Sequence, residues 1–292
     1  MTRIDTDQYS IVNGDSCTEL AQFPDEAADM VIYSPPFSSL YTYSDDPRDV
    51  SNNGSHEDFF QHYDYIIAET LRLLKPGRIA AVHCMQVLRS KAMYGERGLY
   101  DFRAEIVRRH VEAGFTYRGE VTIDKCPQAQ AIRTKSMDLM FVTLNKDSSK
   151  SRPALADYLL LFAKPGENAV PVDATGEVDN EQWIEWARPI WTGIRETHVL
   201  NGRHGRSEKD ERHLNTLQLD LIDRAVKLWS NRGETILSPF MGVGSEGYQS
   251  MSLGRKFIGC ELKESYFEQA VDNLAYLAEH MANPTLLDEV TT

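Results

Sequence analysis

Three glycines near the carboxyl terminus have the spacing of a nucleotide-binding loop. Gly242, Gly244 and Gly247 lie in the stretch ETILSPFMGVGSEGYQSMSLGRKFIGCEL, between a predicted strand and a predicted helix. Glycines so placed let the backbone turn tightly and approach a ligand closely. Glu261 ends the next predicted strand, 19 residues after Gly242, where a carboxylate can accept hydrogen bonds from ribose hydroxyls. The alternative is a tight turn without a ligand.

Two classes of cofactor fit this loop, the nicotinamide or flavin dinucleotides and S-adenosylmethionine. It is not a P-loop, because no Lys-Ser or Lys-Thr pair follows the glycines. Only 31 residues follow Glu261, too few to complete an open α/β sheet. We therefore expect the N-terminal half of the chain to supply the remaining strands.

A second unusual stretch, VIYSPPF at residues 31–37, ends a predicted apolar strand in a rigid corner. Proline lacks the backbone donor that a strand ladder needs, so strands often stop at proline. They rarely stop at two prolines with a polar residue before them and an aromatic residue behind. We expect this corner and the glycine loop to lie at neighbouring strand ends, where open α/β sheets bind ligands. His83 ends another predicted strand at that edge, and a satisfied strand-end histidine is favoured over a role near the pocket.

The elements that must position these stretches alternate between strand and helix. Hydrophobic periodicity predicts helices at 17–22, 57–74, 101–113, 217–229, 245–253 and 264–278. It predicts strands at 9–12, 29–33, 79–84, 115–123, 139–144, 158–162, 235–237 and 256–260. Strand–helix alternation at both ends predicts an α/β fold, doubly wound, whose mostly parallel Rossmann-like sheet has helices on both faces.

The net charge of −13 and the pI near 5.1 weigh against a nucleic-acid partner. The charge is uneven, however, because residues 72–135 hold 13 basic and 6 acidic side chains, a net charge of +7. One face can therefore still bind a polyanion. The sequence has neither an apolar run long enough for a membrane span nor a signal core, so we expect a cytoplasmic protein. The four cysteines are far apart and form no CxxC pair, which predicts no metal site and no disulfide framework.

The corner Ser34-Pro35-Pro36-Phe37 resembles the catalytic motif of DNA amino-methyltransferases, usually written Asp/Asn/Ser-Pro-Pro-Tyr/Phe/Trp. Other stretches resemble further motifs of that family, namely 13–16, 74–77, 238–244 and 259–266. The corner precedes the cofactor loop, an order that resembles the β group of these enzymes. The central part of the chain is similar to stand-alone members of phage or mobile-element type.

The resemblance implies transfer of a methyl group from S-adenosylmethionine to the exocyclic amine of a base flipped out of double-stranded DNA. The lone pair of such an amine is delocalised into the ring, so acceptors aimed at its N–H groups favour tetrahedral nitrogen. The family assigns those acceptors to the Ser34 side chain and the Pro35 carbonyl. Pro36 completes the rigid corner, and Phe37 can stack on the base. No metal is implied.

The resemblance assigns cofactor binding to residues at the other strand ends. Ser238 stands where many members have Asp, which changes how the cofactor's amino group is held. Phe240 is expected to pack against the methionine part of the cofactor or, equally, to be a core aromatic. Asp15 is expected to face the adenine, against the alternative of a turn aspartate. The expected cofactor-binding residues are Asp15, Ser238, Phe240, Gly242, Gly244 and Glu261.

The target base remains open between two amines. Serine at position 34 is more often associated with cytosine N4 and aspartate with adenine N6, so cytosine N4 is slightly favoured. More distant alternatives are an RNA amino-methyltransferase, a nicotinamide oxidoreductase and an inactive DNA-binding module. The oxidoreductase leaves the corner unexplained.

Amides and cations in the middle of the chain are the expected DNA contacts, because Gln and Arg read base edges and Lys and Arg hold phosphates. The expected residues are Gln128, Gln130, Arg133, Lys135, Arg203, His204 and Arg206. We expect a catalytic half at 1–125, an inserted DNA-recognition region at 126–212, a cofactor-binding half at 213–282 and a tail at 283–292. The family resemblance also allows a homodimer.

Overall fold

Strands and helices alternate along most of the computed structural model, which describes residues 2–36, 56–89, 91, 95, 96, 98–134, 144–150, 152–200 and 216–282. The strands are β1 (Thr2–Asp5), β2 (Tyr9–Asn13), β3 (Met30–Tyr33), β4 (Ile79–Met85), β5 (Val87–Arg89), β6 (Gly98–Tyr100), β7 (Thr116–Ile123), β8 (Asp157–Ala163), β9 (Ile190–Trp191), β10 (Thr235–Ser238) and β11 (Lys256–Glu261). The helices are α1 (Ser16–Glu19), α2 (His56–Leu73), α3 (Phe102–Glu112), α4 (Pro127–Thr134), α5 (Asn180–Trp186), α6 (Leu219–Trp229), α7 (Ser245–Ser252) and α8 (Glu264–Ala282).

One mixed sheet organises the fold, with the strand order β1-β2-β11-β10-β3-β4-β8-β7-β9. The consecutive neighbours from β2 to β4 are all parallel, and β8 runs antiparallel to both β4 and β7. The carboxyl ends of β2, β11, β10, β3 and β4 therefore lie along one edge of the sheet. The predicted α/β fold with a largely parallel sheet is confirmed.

Apolar side chains of alternate strand residues face opposite sides of the sheet and build two cores. Val31 and Tyr33 belong to the core that α2 and α3 cover. Met30 and Ile32 belong to the core that α6, α7 and α8 cover. Both faces of the sheet are buried, which explains why β3 is an unbroken apolar run rather than an alternating one.

The central part of the chain differs from its sequence interpretation in two places. Residues 127–134, for which the sequence predicted no helix, form helix α4. Strand β8 belongs to the expected recognition region, yet it lies inside the main sheet between β4 and β7. The strand predicted at 139–144 lies outside the described residues except for Leu144. Among the helices that the structure describes, none is long and apolar enough to cross a membrane.

Candidate active site

The glycine loop and the Ser-Pro-Pro corner lie at the ends of adjacent parallel strands. Strand β10 leads into the glycine loop, and its register with β3 pairs Leu237 with Val31. The rings of Phe240, just after β10, and Tyr33, just before the corner, have centroids 5.8 Å apart. The expected proximity of the two stretches is confirmed.

Two glycines of the loop are required by its geometry. Gly244 begins helix α7 at a φ of 88°, in the left-handed region that side chains with a Cβ rarely adopt. A Cβ on Gly247 would lie 2.6 Å from Cδ1 of Phe257 on β11. The absence of a side chain at Gly247 therefore lets helix α7 pack directly on the sheet. These are the roles of turning and close packing that the spacing predicts.

Glu261 holds the glycine loop against the end of β11. Its Oε2 accepts a hydrogen bond of 2.9 Å from the backbone N–H of Gly242, and its Oε1 accepts one of 2.9 Å from that of Lys263. The carboxylate is partly exposed at the sheet edge.

Asp15 follows the neighbouring strand β2 and caps helix α1. Its carboxylate accepts a hydrogen bond of 2.9 Å from the backbone N–H of Cys17, which satisfies one of the free donors at the start of the helix. Ser16 donates a hydrogen bond of 2.5 Å to the carbonyl of Pro239. The segment after β2 is thereby tied to the glycine loop. The structure thus shows the capping role of Asp15, and its adenine contact stays a prediction.

Ser238 and Phe240 differ in their surroundings. Ser238 is fully buried at the end of β10, and its hydroxyl has no hydrogen-bond partner within the described part of the chain. Phe240 is half-buried and packs against the rings of Tyr33 and Tyr63, with centroids 5.8 and 6.3 Å away. Phe240 is therefore joined to the core on one side, while its partial exposure leaves part of the ring open.

The Ser-Pro-Pro corner keeps its serine partly exposed. Ser34 is half-buried, Pro35 is buried and Pro36 is half-buried, whereas Phe37 lies outside the described residues. The Ser34 hydroxyl lies 3.0 Å from Nδ1 of His83. This contact joins the end of β3 to the end of the adjacent strand β4.

His83 is bonded at both ring nitrogens, and its second partner is a buried carboxylate. Its Nε2 lies 3.1 Å from Oδ2 of Asp157 at the start of β8, and the ammonium of Lys125 lies 2.7 Å from the same oxygen. Burial raises the pKa of Asp157, but hydrogen bonding and charge from His83 and Lys125 outweigh it and lower that pKa to about 2. His83 is both a satisfied histidine and a neighbour of the corner, the two alternatives that the sequence left open.

A family model described as DNA methylase matches residues 28–272, which include the corner, the glycine loop and Glu261. The chain belongs to the DNA methylase family. The chain is 25% identical over 260 residues to the type II methyltransferase M.BamHI of Bacillus amyloliquefaciens, covering 88% of this chain and 55% of the relative. It is 23% identical over 291 residues to the DNA adenine methyltransferase YhdJ of Escherichia coli K12, covering 96% of this chain and 89% of YhdJ.

Solved structures share the fold of this chain. TTHA0409 of Thermus thermophilus, complexed with S-adenosyl-L-methionine, superposes with a TM-score of 0.66 at 21% identity, covering 92% of this chain and 95% of that one. The cytosine-N4-specific PvuII DNA methyltransferase gives a TM-score of 0.64 at 15% identity, covering 95% of this chain and 94% of that one. The chain spans about half the length of M.BamHI, and its match to M.BglI of Bacillus subtilis covers 30% of that relative.

The structure describes only some of the residues that are expected to contact DNA. Gln128 is exposed on helix α4, whereas Gln130 on the same helix is 1% exposed. The backbone of Arg133 belongs to α4, and its side chain is not described. Lys135, Arg203, His204 and Arg206 lie outside the described residues. Their contacts with DNA remain predictions.

The sequence did not predict the buried charged residues near the corner and near the glycine loop. Asp157 and Lys125 are 2% and 6% exposed, and the only local signal is a charged residue next to an apolar strand. Glu246 is 4% exposed in the first turn of α7, directly behind the glycine loop. Burial, with a smaller contribution from the charge of Glu261, raises the pKa of Glu246 to about 8. Within the ranges described, no cluster of three or more His, Cys, Asp or Glu residues could hold a metal ion.

Proposed function

We propose that this DNA methylase transfers a methyl group from S-adenosylmethionine to the exocyclic amine of a DNA base, with cytosine N4 slightly favoured over adenine N6. The observation that carries the proposal is the juxtaposition of the Ser34 corner with the glycine loop on adjacent strands β3 and β10. Family membership supports the reaction class. The relatives act on different bases, since YhdJ is named an adenine methyltransferase and the PvuII enzyme is cytosine-N4-specific.

The residues at the sheet edge fit S-adenosylmethionine. No heavy atom beyond the neighbouring residues lies within 4 Å of the position a Cβ would take on Gly242, so there is room beside the loop. Glu261 is partly exposed at the carboxyl end of β11, where its carboxylate is proposed to accept hydrogen bonds from ribose hydroxyls, and Phe240 offers part of a ring to an apolar chain. The Ser238 hydroxyl is buried without a partner in the described residues, and a buried hydroxyl without a bond is costly. Its contact with the cofactor stays a prediction.

When bound, S-adenosylmethionine supplies an electrophilic methyl group on a sulfonium ion. The chain's own task is to hold the amine so that its nitrogen lone pair is available. The Ser34 hydroxyl and the Pro35 carbonyl accept hydrogen bonds from the two N–H groups, and the prolines keep these acceptors in place before the base arrives. Phe37 stacks on the flipped base.

The region 126–212 is proposed to read the DNA sequence. Helix α4 begins two residues after Lys125, which reaches the buried carboxylate behind the corner. The exposed Gln128 on this helix therefore follows closely after a residue that lies behind the Ser34 corner. With Arg133, Lys135, Arg203, His204 and Arg206, it supplies the amide, guanidinium, ammonium and imidazole groups proposed to bind base edges and phosphates.

Expression in a host that lacks DNA methylation, followed by mass spectrometry of the host nucleosides, tests the proposal. We expect N4-methylcytosine, whereas N6-methyladenine would keep the reaction class and overturn the base assignment. A folded protein that produces neither product would contradict the proposed function.

Replacing Ser34 with alanine tests the corner itself. We expect Ser34→Ala to abolish methylation of the host DNA, because one of the two acceptors for the amine is lost, and to leave S-adenosylmethionine affinity unchanged in calorimetry. Ser252→Ala, which removes an exposed hydroxyl from helix α7, is the matched control and should methylate like the parent. Unchanged methylation by Ser34→Ala would contradict the role of the hydroxyl.

A further inference from the structure

We propose that His83, Asp157 and Lys125 are positioning residues that make Ser34 a hydrogen-bond acceptor toward the target amine and carry away the proton that the amine loses. This inference rests on the proposed function. It concerns a chain of four side chains that links the pocket edge to the interior between β4, β7 and β8.

The register of three strands builds this chain. Met85 on β4 lies opposite Asp157 on β8, and Asp157 lies opposite Ile123 on β7. Alternate residues of a strand share a face, so His83 reaches Asp157 diagonally across the ladder, and Lys125 approaches it from just beyond β7. The contacts are 3.0 Å from Ser34 to His83, 3.1 Å from His83 to Asp157 and 2.7 Å from Asp157 to Lys125.

Burying these polar and charged side chains costs folding free energy unless their mutual interactions compensate for the lost hydration. The side chains of His83, Asp157 and Lys125 are only 7%, 3% and 1% exposed. Removing a carboxylate and an ammonium from water carries a penalty that a hydrophobic pair would not incur. A simple core site would be filled more cheaply by apolar side chains. Ser34, by contrast, is half-buried at the pocket edge, so the chain begins where the substrate is expected.

The carboxylate determines which nitrogen of His83 holds the proton. Asp157 has its pKa lowered to about 2, so it is ionised and can only accept hydrogen bonds. His83 therefore donates from Nε2, and when the ring carries a single proton Nδ1 is left as an acceptor. Lys125, bound to the same carboxylate oxygen, already balances its charge.

This tautomer orients the Ser34 hydroxyl. Because Nδ1 accepts, the O–H of Ser34 donates to His83, and the lone pairs of its oxygen are left for the N–H groups of the base. Without His83 the hydroxyl could rotate and point its hydrogen into the pocket. It would then act as a donor, which is the wrong polarity for an amine N–H.

The same hydrogen bonds provide a path for one proton. Once methylated, the amine nitrogen is positively charged and must lose a proton. Its N–H bond breaks as a bond forms to Ser34 Oγ, while the Ser34 O–H proton moves to Nδ1 of His83. The resulting imidazolium is held by the ionised Asp157, and the proton is later released to solvent, which restores the neutral ring. One proton leaves the amine and one arrives on His83, so the step is balanced.

The first experiment measures the tautomer of His83 in the wild-type protein without cofactor or DNA. Nitrogen-15 NMR of labelled imidazole distinguishes the two ring nitrogens, with the His83→Gln variant identifying the signal. We expect hydrogen on Nε2 and none on Nδ1 at neutral pH. Hydrogen on Nδ1 would overturn the inference. This measurement needs no activity, so it remains informative even if the proposed methylation fails.

The second experiment measures single-turnover methyl transfer from tritiated S-adenosylmethionine to unmethylated plasmid DNA that the wild type modifies. We expect His83→Ala to slow the chemical step by about 100-fold, a typical loss for a group that handles a proton. The dissociation constants for S-adenosylmethionine and DNA should not change. Added imidazole should restore part of the rate, a rescue that a purely structural role would not give.

His280→Ala is the matched control, because it removes an exposed histidine that contacts the carbonyl and the ring of Tyr276 on its own helix α8. Its rate should equal the wild-type rate. If wild-type protein methylates DNA and His83→Ala transfers methyl within threefold of it, this inference fails while the proposed function stands. If His83→Ala does not fold, as thermal melting would reveal, the tautomer measurement on the wild type decides.

Discussion

Replacing Glu246 with glutamine is expected to raise the free energy of unfolding by an amount that increases with pH. Glu246 is buried in the first turn of α7, and burial raises its pKa to about 8 from an ordinary value of 4.5. Between these values the folded protein keeps a proton that the unfolded chain has lost, so stability falls as the pH rises. Below pH 4.5 both states are protonated, and above pH 8 the full cost is reached.

The size of the effect follows from those two pKa values. With pKa values of 4.5 in the unfolded chain and about 8 in the folded protein, ionisation of Glu246 lowers the free energy of unfolding by about 1 kcal/mol at pH 5 and about 3 kcal/mol at pH 7. The loss approaches a limit of about 5 kcal/mol at higher pH. Glutamine has nearly the same shape and does not titrate. The stability difference between Glu246→Gln and wild type should therefore increase by about 2.5 kcal/mol from pH 5 to pH 7.

Urea unfolding of cofactor-free protein, at a series of pH values from 5 to 8, measures this difference. A change in packing or hydrogen bonding shifts the stability of Glu246→Gln equally at every pH, so only the pH-dependent part reports ionisation. Glu279→Gln, on the exposed face of α8, is the control and should show no such trend. A difference between Glu246→Gln and wild type that stays constant across this range would refute the reasoning.

Two further substitutions test the packing that supports the site. Gly247→Ala should destabilise the protein by about 1–3 kcal/mol, because its Cβ would overlap the ring of Phe257. Gly98→Ala is the control and should not destabilise it, because a Cβ there meets open space. Equal losses of stability for both variants in thermal melts would contradict this reasoning. Arg78→Met should cost about 3–5 kcal/mol in urea unfolding, because it leaves the carboxylate of Glu234 without its buried partner. A loss below about 1 kcal/mol would show that this carboxylate is rehydrated.

Local sequence signals were sufficient where an element is long or its residues are chemically distinctive. Helical spacing predicted α2 and α8 because each has an apolar stripe that must be buried. The glycine spacing predicted the turn into α7 and its close packing on β11, since only glycine meets both demands. Short elements were missed, such as β1, β9 and helix α4, because a few residues carry too little periodicity to outweigh a loop.

Placement of the glycine loop beside the Ser34 corner was also accessible from sequence. It required only that the C-terminal strands complete a sheet begun by the N-terminal half, and that ligands bind at the carboxyl ends of parallel strands. The order of β10 next to β3 bears this out. The buried state of Glu246 was not accessible, because a glutamate in the first turn of a helix usually faces solvent.

The sequence alone was sufficient to predict the α/β class and the placement of the corner and the glycine loop at neighbouring strand ends. Only the tertiary structure decided what lies behind Ser34. His83, Lys125 and Asp157 are far apart in the chain and follow no shared motif. They meet because the antiparallel register of β8 with β4 and β7 brings them to one buried point. Such a register is set by the packing of whole strands, and no local pattern of residues records it.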